Sequence, residues 1–190
     1  MAKRIIIGGI IGGIVMFFWG FVSHVLLPIG SAGFKGLPNE EVTLKALKEN
    51  IKEPGLYIFP GFELMKGSKE QQREAEELWK RGPNGIMAYN PTGSDTMSGK
   101  QIAIEGLSDI ICALIAALIL AKAVGGLGGV LSKALFVALI GVAASIAIDL
   151  SYWNWYGFPG VYFAAQFVDQ VVGFFLAGIV LALFIKKPAS

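Results

Sequence analysis

The chain has 190 residues, 54% of them hydrophobic and 16% charged, with a formal charge of +2. That is more apolar than an ordinary soluble domain, and the small charge gives no reason to expect a nucleic-acid partner. The single cysteine, Cys112, excludes an intrachain disulfide and a four-cysteine zinc site; it reads as a small apolar helix residue.

A bilayer core is about 30 Å thick, so a crossing helix needs about 20 mostly apolar residues. Residues 5–27 meet this directly behind Lys3 and Arg4. A secretory signal has an apolar run of only about 7–15 residues, so a retained anchor helix is expected. Within it, Gly8/Gly12 and Gly9/Gly13 form small-xxx-small pairs, the pattern of close helix packing in lipid.

Residues 28–101 are polar and punctuated, and read as a small α+β domain. Pro28 ends the first helix. Asn39 is expected to cap a short amphipathic helix, with Glu40 and Glu41 in its first turn and Val42, Leu47 and Ile51 on one face. Pro54-Gly55 marks a turn. Residues 56–59 and 86–89 alternate like short strands, and could pair into one small sheet. Ser68 with Gln71 has capping-box spacing, opening a charged helix to about Arg81. The run from Gly93 to Gly99-Lys100 superficially suggests a phosphate loop. Its spacing is wrong, and it lacks the Ser or Thr that would bind magnesium, so no nucleotide is expected.

The second apolar segment is too short on its own. Residues 110–121 are uncharged but would cover only about 18 Å of helix. Lys122 can snorkel to an interface. The helix therefore starts near Ile102 and carries Glu105 and Asp109 within it. Residues 134–150 form a third span and continue into aromatic residues; residues 161–185 form a fourth. The predicted fold class is an all-α membrane protein: a four-transmembrane-helix bundle with a small α+β extracytoplasmic domain between helices one and two. The divisions are 1–27, 28–101 and 102–190.

Charge placement predicts orientation. Cytoplasmic loops are enriched in Lys and Arg. Lys3, Arg4, Lys122, Lys133, Lys186 and Lys187 flank the helices with no acid among them, whereas residues 28–101 hold ten bases and ten acids. Both termini are expected in the cytoplasm of a cell with this chain in its inner (plasma) membrane, and residues 28–101 on the far side, the periplasm in a Gram-negative source.

Each span also has a stripe of small or polar residues at steps of three and four, hence on one face. The stripes run through Gly9, Gly13, Gly20 and His24; Glu105, Ser108, Asp109, Cys112 and Ala116; Gly141, Ser145, Asp149 and Tyr152; and Tyr162, Gln166, Asp169, Gln170, Gly173 and Ala177. Turned inward, they gather His24, Glu105, Asp109, Asp149, Gln166, Asp169 and Gln170 in the outer half of the bundle. A charge at the bilayer centre costs at least about 2.5–3.5 kcal/mol. Three arrangements relieve that cost: protonated acids, a bound cation, or a water-filled cleft. A structural hydrogen-bond network explains the same residues without any ligand. Carboxylates with one histidine could hold a transition metal, but scattered single ligands define no metal site.

Residues 151–160, SYWNWYGFPG, hold five aromatics and read as an external loop. Trp and Tyr favour membrane interfaces and also dominate protein–protein hot spots. Tyr152, Trp153, Asn154, Trp155 and Tyr156 are therefore candidates for anchoring or docking. In an extended loop, Trp153 and Trp155 would share a face.

The order of one helix, a large external domain with short strands, and three further helices resembles the claudin-type topology. The paired cysteines and Trp/Leu/Trp signature of that family are absent. The runs GLYIFPG at Gly55 and SYWNWYGFP at Ser151 also resemble bacterial four-helix inner-membrane proteins, a resemblance that implies the architecture and no activity.

No nucleophile–base pair, metal motif or nucleotide loop supports an enzyme, and no catalytic residue or resident cofactor is expected. The leading expectation is a non-enzymatic accessory or scaffold subunit, embedded in lipid. It would bind other membrane-protein subunits through its external domain and aromatic residues. One alternative is a small proton- or cation-coupled carrier using the intramembrane carboxylates. Another is a membrane enzyme or redox protein that binds a lipid or quinone.

Overall fold

The computed structural model describes residues 1–187. In chain order the elements are α1 (Ala2–Phe21), widening into a π turn at Val22–Leu26, α2 (Glu40–Asn50), β1 (Gly55–Phe59), α3 (Lys69–Arg81), β2 (Gly85–Tyr89), α4 (Gly99–Ala123), α5 (Val130–Tyr156) and α6 (Gly160–Phe184). α1 with its π turn, α4, α5 and α6 are long and apolar enough to cross a membrane. The chain divides into a helical unit, formed by Met1–Phe34 and the residues from Met97 onward, and a smaller unit, Lys35–Thr96.

In the helical unit α1 occupies a central position. It packs against both α4 and α6, and α5 packs along α6; α4 makes only slight contact with α5 and α6. The buried residues of α1 are all glycines: Gly8, Gly9, Gly12 and Gly13. The two small-residue pairs together serve both neighbours. Gly8 lies against Phe184 and Leu181 of α6, Gly9 and Gly13 lie against Leu114 and Ile110 of α4, and Gly12 sits between Ala113 of α4 and Leu181 of α6. The missing side chains let the α4 backbone come close to α1 at Gly9 and Gly13, and leave room for α6 side chains at Gly8. Gly141 and Gly178 do the same for α5 and α6, where added methyl groups would meet the Gln170 carbonyl and the Ala134 backbone. An apolar cluster of Ala116, Ala117, Leu120, Val124, Val137, Phe174, Leu181 and Ile185 closes one end of the unit. Exposed Ile, Leu and Phe side chains cover the outer helix faces, as suits a bilayer environment.

Two helix boundaries differ from the sequence expectation. α4 begins at Gly99, one turn before Ile102, because Ser98 and Gln101 form a capping box. Ser98 Oγ accepts from the Gln101 N–H at 3.3 Å, and Gln101 Oε1 accepts from the Ser98 N–H at 2.8 Å. α5 runs on through Tyr156, so the expected ten-residue aromatic loop is mostly helix. Gly157, at φ +71°, stops it in the left-handed conformation. The N–H of Phe158 then reaches back to the Tyr152 carbonyl, as in a Schellman ending.

In the smaller unit, β1 and β2 pair antiparallel, with Tyr57 opposite Met87 at the centre of the register. α3 connects them and opens with the Ser68/Gln71 capping box. On its surface Glu77 accepts from Lys80 Nζ at 2.7 Å. That bond and the lysine's charge hold the Glu77 carboxyl below the usual carboxylate range. Asn39 precedes α2 but does not cap it through its side chain. Its backbone is left-handed (φ +49°), and its carbonyl instead accepts from the N–H and Oγ1 of Thr43.

Candidate functional site

The polar residues of the four long helices lie in environments that differ. Asp149 is buried at 7% exposure on α5, and its Oδ2 accepts from Ser145 Oγ one turn earlier, at 2.7 Å. This is a closed local pair, built by i,i+4 spacing on one helix face.

Asp169 on α6 is half-buried, and its Oδ1 has no hydrogen-bond partner. Its backbone carbonyl accepts from Trp19 Nε1 of α1 at 3.1 Å. The same indole lies over Gly173, where an added methyl group would sit 3.3 Å from Trp19 Cδ1. Trp19 thus ties α1 to α6 at the level of Asp169.

Asp109 on α4 is half-buried, within electrostatic reach of Glu105 on its own helix and of Asp169 across the unit. Glu105 is exposed, and its carbonyl accepts from Ser108 Oγ at 2.8 Å. Gln166 and Gln170 are half-buried on α6. His24 is exposed in the π turn, its Nδ1 2.8 Å from Ser23 Oγ. Asp109 and Asp169 therefore share one region, while Asp149 is satisfied locally and His24 and Glu105 face outward. Among the described residues, no three His, Cys, Asp or Glu side chains approach as a metal site requires.

The aromatic residues at the end of α5 form a second candidate surface. Because residues 152–156 are helical, Trp153 and Trp155 stand about 200° apart around the axis rather than on a common face. Tyr152 and Tyr156, one turn apart, do share a face, with ring centroids 5.9 Å apart. Tyr152 stacks on Phe158 at 5.2 Å, Phe158 meets Tyr162 at 5.1 Å, and Tyr162 meets Phe34 edge-on at 6.0 Å. This continuous ladder joins α5, α6 and the segment after α1. Phe34 and Trp19 were not singled out in the sequence, because each depends on a partner far along the chain, Tyr162 and Asp169 respectively. Trp155 is 74% exposed and Trp153 48%, both outside the ladder, and Asn154 is exposed between them.

Comparison with protein-family models, curated proteins and solved structures finds no match to this chain.

Proposed function

We propose that this chain is a non-enzymatic accessory or scaffold subunit of a larger complex in the bacterial inner membrane. In this reading both termini are cytoplasmic and residues 28–101 project from the far side. One observation carries it. Among the described residues of the smaller unit, Ala75 alone is fully buried, whereas Val42, Leu44, Leu56, Phe59, Phe62 and Met65 are exposed. A two-stranded sheet is marginal by itself in water, and so many uncovered apolar side chains in one small unit mark an interaction surface. A shallow cleft of about 510 Å³ beside β1, lined by Leu56, Ile58, Phe62 and Leu64, offers a place for a partner's side chains. The exposed Trp153 and Trp155 supply rings of the type that anchor protein–protein contacts.

The test is purification of the full chain from native membranes, with intact-complex mass analysis. A stoichiometric partner should be recovered with the native chain and lost from Leu56→Ser and Phe62→Ser at unchanged membrane yield. Recovery of the chain alone, or of the same partner with all variants, would refute this assignment.

A second reading, a proton- or cation-coupled carrier, has one observation in its favour: the unpartnered Asp169 Oδ1 in a helix within electrostatic reach of Asp109. Reconstituted vesicles would separate the two. Ion-dependent flux abolished by Asp169→Asn supports the carrier, and absence of flux supports the subunit.

A further inference from the structure

We propose that one end of the helical unit is a binding surface for the anionic headgroup of a phospholipid, formed by Lys3, Arg4, Lys122, Lys186 and Lys187.

Convergence is the first support. A single apolar cluster joins the end of α4 through Leu120 and Val124, the start of α5 through Val137 and the end of α6 through Leu181 and Ile185, with Ile5 of α1 packed against it. Bases adjoin every one of these segments: Lys3 and Arg4 before Ile5, Lys122 after Leu120, Lys133 before Val137, and Lys186 and Lys187 after Ile185. The packing therefore brings to one end charges that lie far apart in sequence.

Lys133 has a different role from the other five. It is 7% exposed and donates from Nζ to the Ile185 carbonyl at 3.0 Å. That bond fixes the end of α6 against α5 and so positions Lys186 and Lys187, which are exposed immediately beyond it.

Among the described residues these cations have no protein counter-charge. The acids of the helical unit, Glu105, Asp109, Asp149 and Asp169, all lie toward the opposite ends of their helices. Among the described residues, every ion pair falls within the smaller unit: Lys45–Glu49, Lys66–Glu63 and Lys80–Glu77. Within the described residues, these exposed bases are free to meet an external anion.

A diacyl lipid fits better than a free phosphate or an acidic protein, because the basic rim borders bare apolar helix. Leu118, Leu131 and Leu135 are 54%, 63% and 53% exposed on the flanks below it. Acyl chains can lie on those side chains while the headgroup meets the lysines, whose long stems reach the interface. Each Lys or Arg near an anionic membrane surface contributes about a fivefold factor in binding.

The experiment uses the full chain in a non-ionic detergent, with equimolar phosphatidylglycerol and phosphatidylcholine, read by intact mass. The native chain should retain phosphatidylglycerol severalfold over phosphatidylcholine. The double variant Lys186→Gln/Lys187→Gln, which keeps Lys3 and Arg4 before the first helix, should lose that preference severalfold. Lys45→Gln/Lys48→Gln, an equal charge change in the smaller unit, should keep it. Equal retention of both lipids by the native chain overturns the proposal whatever the variants do. So does a preference unmoved in Lys186→Gln/Lys187→Gln. Displacement of the lipid by an equal concentration of soluble glycerophosphoglycerol would overturn the choice of a lipid ligand.

Discussion

Lys133 on α5 donates to the carbonyl of Ile185 at the end of α6, 3.0 Å away, in a buried bond. The last carbonyls of a helix have no partner within it, and the helix dipole concentrates negative charge there. One ammonium group satisfies both requirements while pinning two antiparallel helices together.

Lys133→Met should therefore destabilise the solubilised protein by about 1–3 kcal/mol, the cost of a buried carbonyl losing its donor. Lys122→Met, at an exposed position, should change stability by less than about 0.5 kcal/mol. Thermal unfolding in detergent reads both. Indistinguishable midpoints would mean that the Lys133 bond contributes nothing net.

The glycines of α1 should divide sharply by position. A methyl group at Gly13 would enter the Ile110 backbone, whereas one at Gly20 meets nothing within 4 Å. Backbone cannot rotate aside, so Gly13→Ala should force α1 and α4 apart, at about 1–3 kcal/mol. Gly20→Ala should be neutral or stabilising by up to about 1 kcal/mol, through helix propensity. Equal tolerance in a thermal-stability assay would contradict the close α1–α4 approach.

Asp169 offers a test of whether its carboxylate serves structure. Its Oδ1 has no partner, so an apolar side chain of similar length removes an unsatisfied polar atom. Asp169→Leu should retain or raise the thermal midpoint, since replacing unpaired polar groups by apolar ones is often neutral or stabilising. A loss of more than about 2 kcal/mol would show that the carboxylate makes a necessary bond, to water or an ion.

Orientation can be read by thiol labelling in a Cys112→Ala background. Ser94 and Gly128 are both exposed, so either introduced cysteine should be reachable from its own side. On intact cells a membrane-impermeant reagent should label Ser94→Cys and spare Gly128→Cys. The reverse pattern would invert the proposed topology, and labelling of both would contradict a single crossing between them.

The four long helices were legible in the sequence because bilayer thickness sets the length that a mostly apolar segment must reach, whatever packs against it. The strand pair and the α3 capping box were legible for an equally local reason, their alternation and turn residues. The early start of α4 was also within reach, since Ser98 and Gln101 carry the same signal as Ser68 and Gln71. The aromatic stretch misled because Trp and Tyr suit a loop and a helix end equally; the stop came only at Gly157. Polar stripes showed which face of each helix was special without showing its neighbour.

Only the tertiary structure assigned partners. It set Gly9 and Gly13 against α4 and Gly8 against α6, left Asp169 Oδ1 without a bond, and turned Lys133 inward to Ile185, 52 residues away. Length, hydropathy and capping act between residues a few positions apart, and so are written along the chain. The choice among several similar small-residue faces depends on how helix surfaces fit together in three dimensions, and that fit is settled by packing between segments far apart in sequence.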